Sequence, residues 1–210
     1  MLPAPDLRRA LNEISPVPLL GPFSRFVPFR FLVQPQMDRV KALFKARPLW
    51  GIGSLQNGGR YNAPGTFEVV YLAEDAITAL AEVDLVFRHS GANLGKIKGP
   101  PLVHISVDGL LEQVLDLTLD KVQKALGTEI QQLTGSWLVI QSAGGEAPTQ
   151  ELGRIAYEDE RLCALRYPSS KNPGGVCVAV FPDRLTGSSY IEIYDPSGNL
   201  AQRLPLAKHI

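Results

Sequence analysis

Between Gly58 and Phe87 the chain changes its period, and that change limits what it can fold into. The stretch 51–65 is rich in Gly and Asn and reads as a loop, ending in Gly58-Gly59-Arg60-Tyr61-Asn62-Ala63-Pro64-Gly65. Phe67–Ala73 then reads as a strand carrying Val69, Val70, Tyr71 and Leu72. From 75 to 88 the apolar residues move to helical spacing. Ala76, Ala79, Leu80, Val83 and Phe87 share a face, and Asp75 stands at the N-cap position.

The rest of the chain continues this mixture. Asp6 is expected to cap a short helix with Leu7, Leu11 and Ile14 inward, ended by Pro16 and Pro18. Residues 24–33 read as extended, interrupted at Pro28. Leu102–Val107 reads as a strand, Leu119–Leu126 as a helix, and Thr149–Glu158 as a helix capped by Thr149 with Leu152, Ile155 and Ala156 inward. Strands at Leu162–Tyr167 and Val176–Phe181 flank a loop over 168–175. A terminal hairpin pairs Tyr190–Tyr194 with Leu200–Leu204 through Asp195-Pro196-Ser197-Gly198-Asn199. There is no regular βαβ rhythm, so the expected class is α+β: one domain, with mixed sheets and flanking helices.

Composition narrows the function classes. Twenty-one basic residues balance twenty-one acidic ones, which argues against direct nucleic-acid binding through a basic face. Zero net charge also suits a chain that lives in a complex. Cys163 and Cys177 each lie in a short apolar run and read as reduced, buried thiols. The opening residues lack a basic segment followed by an apolar one, and no apolar run approaches the roughly 18–20 residues of a membrane span. A soluble, cytoplasmic protein with no membrane contact is expected.

Several motifs carry little chemistry. Gly91-Ala92-Asn93-Leu94-Gly95-Lys96 has the wrong glycine spacing for a phosphate loop, and Ile97 stands where Ser or Thr belongs. His89, His104 and His209 are scattered, with no partner at metal-ligand spacing, so no metal is expected. Glu112, Asp116 and Asp120 read as one solvated helix face. The informative residues are Arg60, Tyr61, Tyr71 and Glu82. An arginine in a glycine-rich loop approaches an anion closely and grips it with a planar fork. Tyr71, on a strand, is placed to stack on a flat ring or bond a ribose. Glu82 lies at the border of its helix's apolar face, or points into a cleft.

Farther on stand Thr149-Gln150-Glu151-Leu152-Gly153, Leu165-Arg166-Tyr167-Pro168-Ser169, Asn172-Pro173-Gly174-Gly175 and Val180-Phe181-Pro182-Asp183-Arg184-Leu185. In this order the motifs resemble the RES family, named for its Arg, Glu and Ser. Arg60, Glu82 and Ser169 match the name-giving residues, with Ser170 the neighbouring alternative to Ser169. Tyr71 matches the family's active-site tyrosine. Ser24-Arg25-Phe26-Val27-Pro28 resembles the early arginine segment, which makes Arg25 the second arginine, with Arg30 the competing one. Trp137 resembles a mid-domain tryptophan, read as structural.

The resemblance implies a fold like that of ADP-ribosyltransferase toxins, with residues 22–187 as the RES domain, 1–21 as an accessory segment in contact with a partner, and 188–210 as a hairpin of the same domain. It implies a toxin that degrades NAD at the nicotinamide–ribose bond, with phosphate or water as acceptor. NAD is then a substrate, and no cofactor is needed. Arg60, Glu82 and Ser169 would be catalytic, and Arg25, Tyr61 and Tyr71 would bind substrate. The implied partner is an Xre-type helix-turn-helix antitoxin covering the active site. A mono-ADP-ribosyltransferase acting on a cellular protein, a delivered effector with an immunity partner, and a catalytically silent module that binds an antitoxin remain alternatives.

Overall fold

The computed structural model describes residues 1–29, 33–34, 45–88, 101–198 and 200–205, with the backbone alone at 33–34, 45–46 and 84–88. Arg30, His89, His209 and the glycine segment 91–96 lie outside the described residues.

Helix α1 (Ala4–Glu13) leads into strands β1 (Val17–Leu20), β2 (Phe23–Pro28), β3 (Val33–Gln34) and β4 (Lys45–Ala46). Then come α2 (Ile52–Asn57), β5 (Val70–Ala73), α3 (Ala76–Arg88) and the long β6 (Leu102–Asp116). Four helices follow: α4 (Asp120–Ala125), α5 (Ile130–Thr134), α6 (Trp137–Ser142) and α7 (Pro148–Glu158). The chain closes with β7 (Ala164–Pro168), β8 (Val176–Val180), β9 (Tyr190–Ile193) and β10 (Arg203–Leu204). The class is α+β.

The main sheet runs β10-β9-β6-β2-β5-β8-β7, and β3 and β4 form a separate antiparallel pair. Strand β6, expected to end at Val107, continues to Asp116 and organises the sheet. Its first half pairs with β2, its middle with β1 and β9, and its last three residues with β7 in parallel. Because β7 also pairs with β8, the strands β6, β2, β5, β8 and β7 close on themselves. Alternation along the strands divides the core. Tyr71, Ala73, Leu165, Tyr167, Cys177 and Ala179 face the helices, while Val70, Leu72, Ala164, Val178 and Val180 face the other side. Both cysteines are free and buried.

The structure corrects several sequence expectations. Pro3 precedes α1, so Asp6 lies in the first turn and does not cap it. The stretch 51–65 contains α2, and β5 starts at Val70. Helix α7 begins at Pro148 after Ala147; Thr149 is buried inside the helix, and Gln150 reaches back to the Ala147 N–H. Glu112 and Asp116 are on a strand, and Asp116 is no solvated helix residue. Arg166 donates to Asp116 and Thr118 through Nη1, at 3.0 and 2.8 Å, and to both oxygens of Glu74 through Nε and Nη2. That clamp ties β7 to β6 and to the β5–α3 turn, where a single strand ladder would leave the loop ends loose.

Asp75 does cap α3, accepting from Thr78 N–H and Thr78 Oγ1. These bonds, the side-chain one first, hold its carboxyl below the usual range. The cap therefore stabilises α3 above the ordinary carboxylate range and is lost as pH falls through the lowered value.

The N-terminal segment is built into the same body. Leu7 and Leu11 are buried against α7 and the α4–α5 region, and Leu2 N–H donates to Leu126 O. Leu11→Ala should therefore cost about 2–5 kcal/mol, a cavity penalty that urea unfolding will measure. An accessory segment would leave the midpoint unchanged.

Candidate active site

Arg60 sits in a tight turn whose ends, Gly59 and Asn62, form an isolated antiparallel bridge. The turn is too short for a ladder, so its polar backbone groups depend on side chains from elsewhere. Tyr71 Oη accepts from Tyr61 N–H at 2.9 Å and donates to Asn62 Oδ1 at 2.9 Å. Asn62, wholly buried, donates to Ser54 O and Phe67 O. From α7, Gln150 donates to Gly59 O at 3.0 Å and to Gln141 Oε1 at 2.6 Å. Two glycines permit this packing. A Cβ on Gly59 would lie 2.5 Å from Tyr71 Oη, and one on Gly153 would lie 1.9 Å from Tyr61 O.

The guanidinium so placed is 7% exposed, and Nη1 donates to Leu133 O at 2.8 Å and Gly135 O at 2.9 Å. Among the described residues Nε and Nη2 have no hydrogen-bond partner. They are the part of Arg60 left for a ligand.

Glu82 comes from α3, whose inward face differs from the expected one. Leu80 is 45% exposed, while buried Thr78 and Ala79 and half-buried Glu82 and Val83 turn toward the sheet. Ser169 Oγ donates to Glu82 Oε1 at 2.6 Å and Ser170 N–H to the same oxygen at 3.0 Å. Ser169 Oγ in turn accepts from the Lys171 and Asn172 N–H groups. Asn172 Nδ2 donates to Thr78 Oγ1, which fastens the 168–175 loop back onto α3. Glu82 Oε2 takes no hydrogen bond among the described residues.

Arg25, Arg60, Tyr71 and Glu82 border one cavity of about 270 Å³, together with Phe26, Trp137, Tyr167 and Cys177. Two expected residues are not on its wall. Ser169 stands behind Glu82, with its hydroxyl bonded to Oε1. Tyr61 is wholly buried, edge-on to Tyr167 at 4.6 Å, with its hydroxyl unpartnered. It is a core residue, because the turn that presents Arg60 must send the next side chain inward. Trp137, read as structural, borders the cavity, and Gln150, quoted only within the Thr149–Gly153 motif, proves to hold the Arg60 turn.

Alternation along β2 puts Arg25 with Phe23 and Val27. Its guanidinium is buried, with Nη2 donating to Trp50 O at 3.0 Å and Nη1 unpartnered. Burial draws its pKa down to about 10, against the pull of Glu68, and it stays charged at neutral pH. Burial pushes the Tyr71 phenol and the Cys177 thiol upward, so both keep their protons at neutral pH.

Tyr71→Phe strands the buried Tyr61 N–H. It should destabilise the fold by about 1–3 kcal/mol in urea unfolding, whereas a phenol that served only a ligand would leave stability unchanged.

The sequence profile of the RES domain matches residues 36–201, so it begins beyond Arg25 and runs into the terminal hairpin. Relatives called NAD(+) phosphorylase MbcT, from Mycobacterium bovis and Mycobacterium tuberculosis, are 30% identical over 100 residues, 47% of this chain and 54% of the relative. The match thus spans about half the length of those relatives. The crystal structure of the M. tuberculosis MbcT–MbcA toxin–antitoxin complex superposes with a TM-score of 0.64 over 90% of each chain at 20% identity, which is a likeness of fold. The matched span holds Arg60, Tyr71, Glu82 and Ser169 and covers most of the sequence; the chain belongs to the RES domain family.

Proposed function

We propose that this protein is a toxin that consumes NAD by breaking the bond between nicotinamide and its ribose. The observation that carries this reading is the state of Glu82. One oxygen is committed to Ser169 and Ser170, the other is free of protein partners among the described residues, and the carboxylate shares a cavity with Arg60.

As the C1′–N bond lengthens, nicotinamide leaves as a neutral molecule with the bonding pair, and positive charge builds on the ribose. A carboxylate fixed beside that charge stabilises it, or holds a ribose hydroxyl that steadies it. Ser169 keeps Glu82 aimed, because its single hydroxyl hydrogen is spent on Oε1. An acceptor oxygen then bonds C1′. Phosphate gives a 1-phosphate of ADP-ribose; water gives ADP-ribose and releases a proton. Arg60 pairs with the diphosphate of NAD or with the incoming phosphate, since its Nε and Nη2 form a fork suited to paired oxygens. Arg25 turns its guanidinium, with Phe23 and Val27, to the opposite side of the sheet from Tyr71, so this reading gives it no phosphate to hold.

Phosphate is the acceptor we favour, on the naming of the MbcT relatives as phosphorylases. The similarly folded MbcT was crystallised in a toxin–antitoxin complex, which supports an antitoxin partner for this chain. We take that partner to be an Xre-type helix-turn-helix protein that closes the cleft in the cytoplasm.

Incubation with NAD, with and without phosphate, and mass spectrometry of the products test the reading. Phosphate should accelerate NAD loss and yield phosphorylated ADP-ribose. A rate indifferent to phosphate with free ADP-ribose identifies water, and label retained on a protein band identifies a transferase. Glu82→Gln preserves the bonds from Ser169 and Ser170, so it should fold normally and lose on the order of 10²–10³-fold in kcat. Ser169→Ala should lose about tenfold, mainly in kcat, because one donor to Oε1 remains. A folded Glu82→Gln protein working near the wild-type rate would sink the assignment.

A further inference from the structure

Four aromatic side chains border the cavity, and three are already engaged. Phe26 lies against His104, with ring centroids 4.8 Å apart. Tyr167 is edge-on to Tyr61. Tyr71 is fixed at its hydroxyl by the Arg60 turn. Trp137 is the fourth. It is half-buried, it opens α6, and among the described residues it meets no other ring.

Helix α6 is not a loose flap carrying an indole. Gly135 O, which accepts from Arg60 Nη1 at 2.9 Å, also accepts from Trp137 N–H at 3.0 Å. At the other end of α6, Gln141 Nε2 donates to Asn57 O at 3.0 Å, and its Oε1 accepts from the buried Gln150. The backbone that carries the indole is thus tied to Arg60 at one end of α6 and to the Arg60 turn, through Gln150, at the other. The next three residues, Leu138, Val139 and Ile140, are 44%, 66% and 40% exposed, so packing of the helix does not require the tryptophan to turn toward the cavity. A flat, unpaired π-face beside a cation with free N–H groups matches a nucleotide: a phosphate on the arginine and a heteroaromatic ring on the indole.

We propose that Trp137 is a substrate-binding, specificity-determining residue whose indole stacks on a ring of the dinucleotide while Arg60 holds a phosphate. The inference rests on the NAD reading above. Trp137 takes no part in bond breaking, so its contribution appears in binding and leaves the chemical step alone.

Tryptophan emission and steady-state kinetics of the full chain test this. The protein has two tryptophans, and Trp137→Phe leaves Trp50 as the only emitter. ADP-ribose or nicotinamide mononucleotide should quench wild-type emission, and the quenching should vanish in Trp137→Phe. Quenching by ADP-ribose assigns the adenine ring to the indole, and quenching by the mononucleotide alone assigns the nicotinamide. Trp137→Ala should raise KM for NAD about tenfold or more with kcat within about threefold, and Trp137→Phe should recover most of the loss. Val139→Ala, on the exposed side of the same helix, should match wild type, which separates stacking from damage to α6. If NAD is consumed and calorimetry records ADP-ribose binding, yet emission is unmoved and the Trp137→Ala KM stays within about twofold, the role assigned to Trp137 is wrong. If NAD is neither bound nor consumed, the functional reading fails, and this inference with it.

Discussion

The turn that presents Arg60 depends on the hydrogen bonds of the Tyr71 hydroxyl. A four-residue turn placed against a helix loses water from its N–H and C=O groups without gaining a ladder, and each such group left unpaired costs about 1–3 kcal/mol. Tyr71 meets the Tyr61 N–H and Gln150 the Gly59 C=O, while the Asn62 side chain, itself held by Tyr71, ties the turn to Ser54 O and Phe67 O. The satisfied turn then has one orientation, and Arg60 inherits it. The same demand explains why Gly59 and Gly153 are glycines. The backbone must approach the phenol and the helix more closely than any Cβ permits.

On the opposite wall the logic is repeated with different residues. A carboxylate near a sheet would swing among rotamers unless something held it, and Ser169 with the Ser170 N–H holds one oxygen. The serine is itself fixed, because its lone pairs take the N–H groups of its own loop and that loop is bound to α3 through Asn172 and Thr78. Below it, Arg166 anchors the strand leading into the loop with bonds to Glu74, Asp116 and Thr118. The arginine and the glutamate of the cavity are therefore positioned by separate sets of side chains.

What the sequence disclosed follows from the range of its signals. Asp75, Ala79, Arg60, Tyr71 and Glu82 fall within a short span, where a change of period and a glycine cluster are local facts, and all of them serve the wall or the α3 cap. Trp137 borders the cavity and Gln150 braces the Arg60 turn across 91 residues, which no periodicity reports. The identity of Asp116 was hidden for a related reason. Spacing by four suggested a helix, but β6 carries it 15 residues through four pairings, and its charge is met by Arg166 from a strand 50 positions later. Tyr61 misled because adjacency to Arg60 in a motif says nothing about side: in a tight turn, neighbours point apart. Leu80 misled because the inward face of α3 is set by a polar network, Thr78 and Glu82, as much as by apolar spacing.

The bonds that position the Arg60 turn are made by uncharged groups: a phenol, two primary amides of glutamine and one of asparagine. Burial raises the phenols of Tyr61, Tyr71 and Tyr167 and the thiol of Cys177, so each keeps its proton well past neutrality. Amides and hydroxyls do not titrate in that range. Ion pairs at the surface, such as Arg154 with Glu146, lie outside this scaffold and contribute little where water screens them. The geometry of the Arg60 turn is consequently indifferent to pH across the physiological interval, whereas the Glu82 side also leans on the Arg166 ion pairs and the Asp75 cap. An ionic scaffold, by contrast, would let a neighbouring proton both misplace Arg60 and change the chemistry, and the two effects could not be separated.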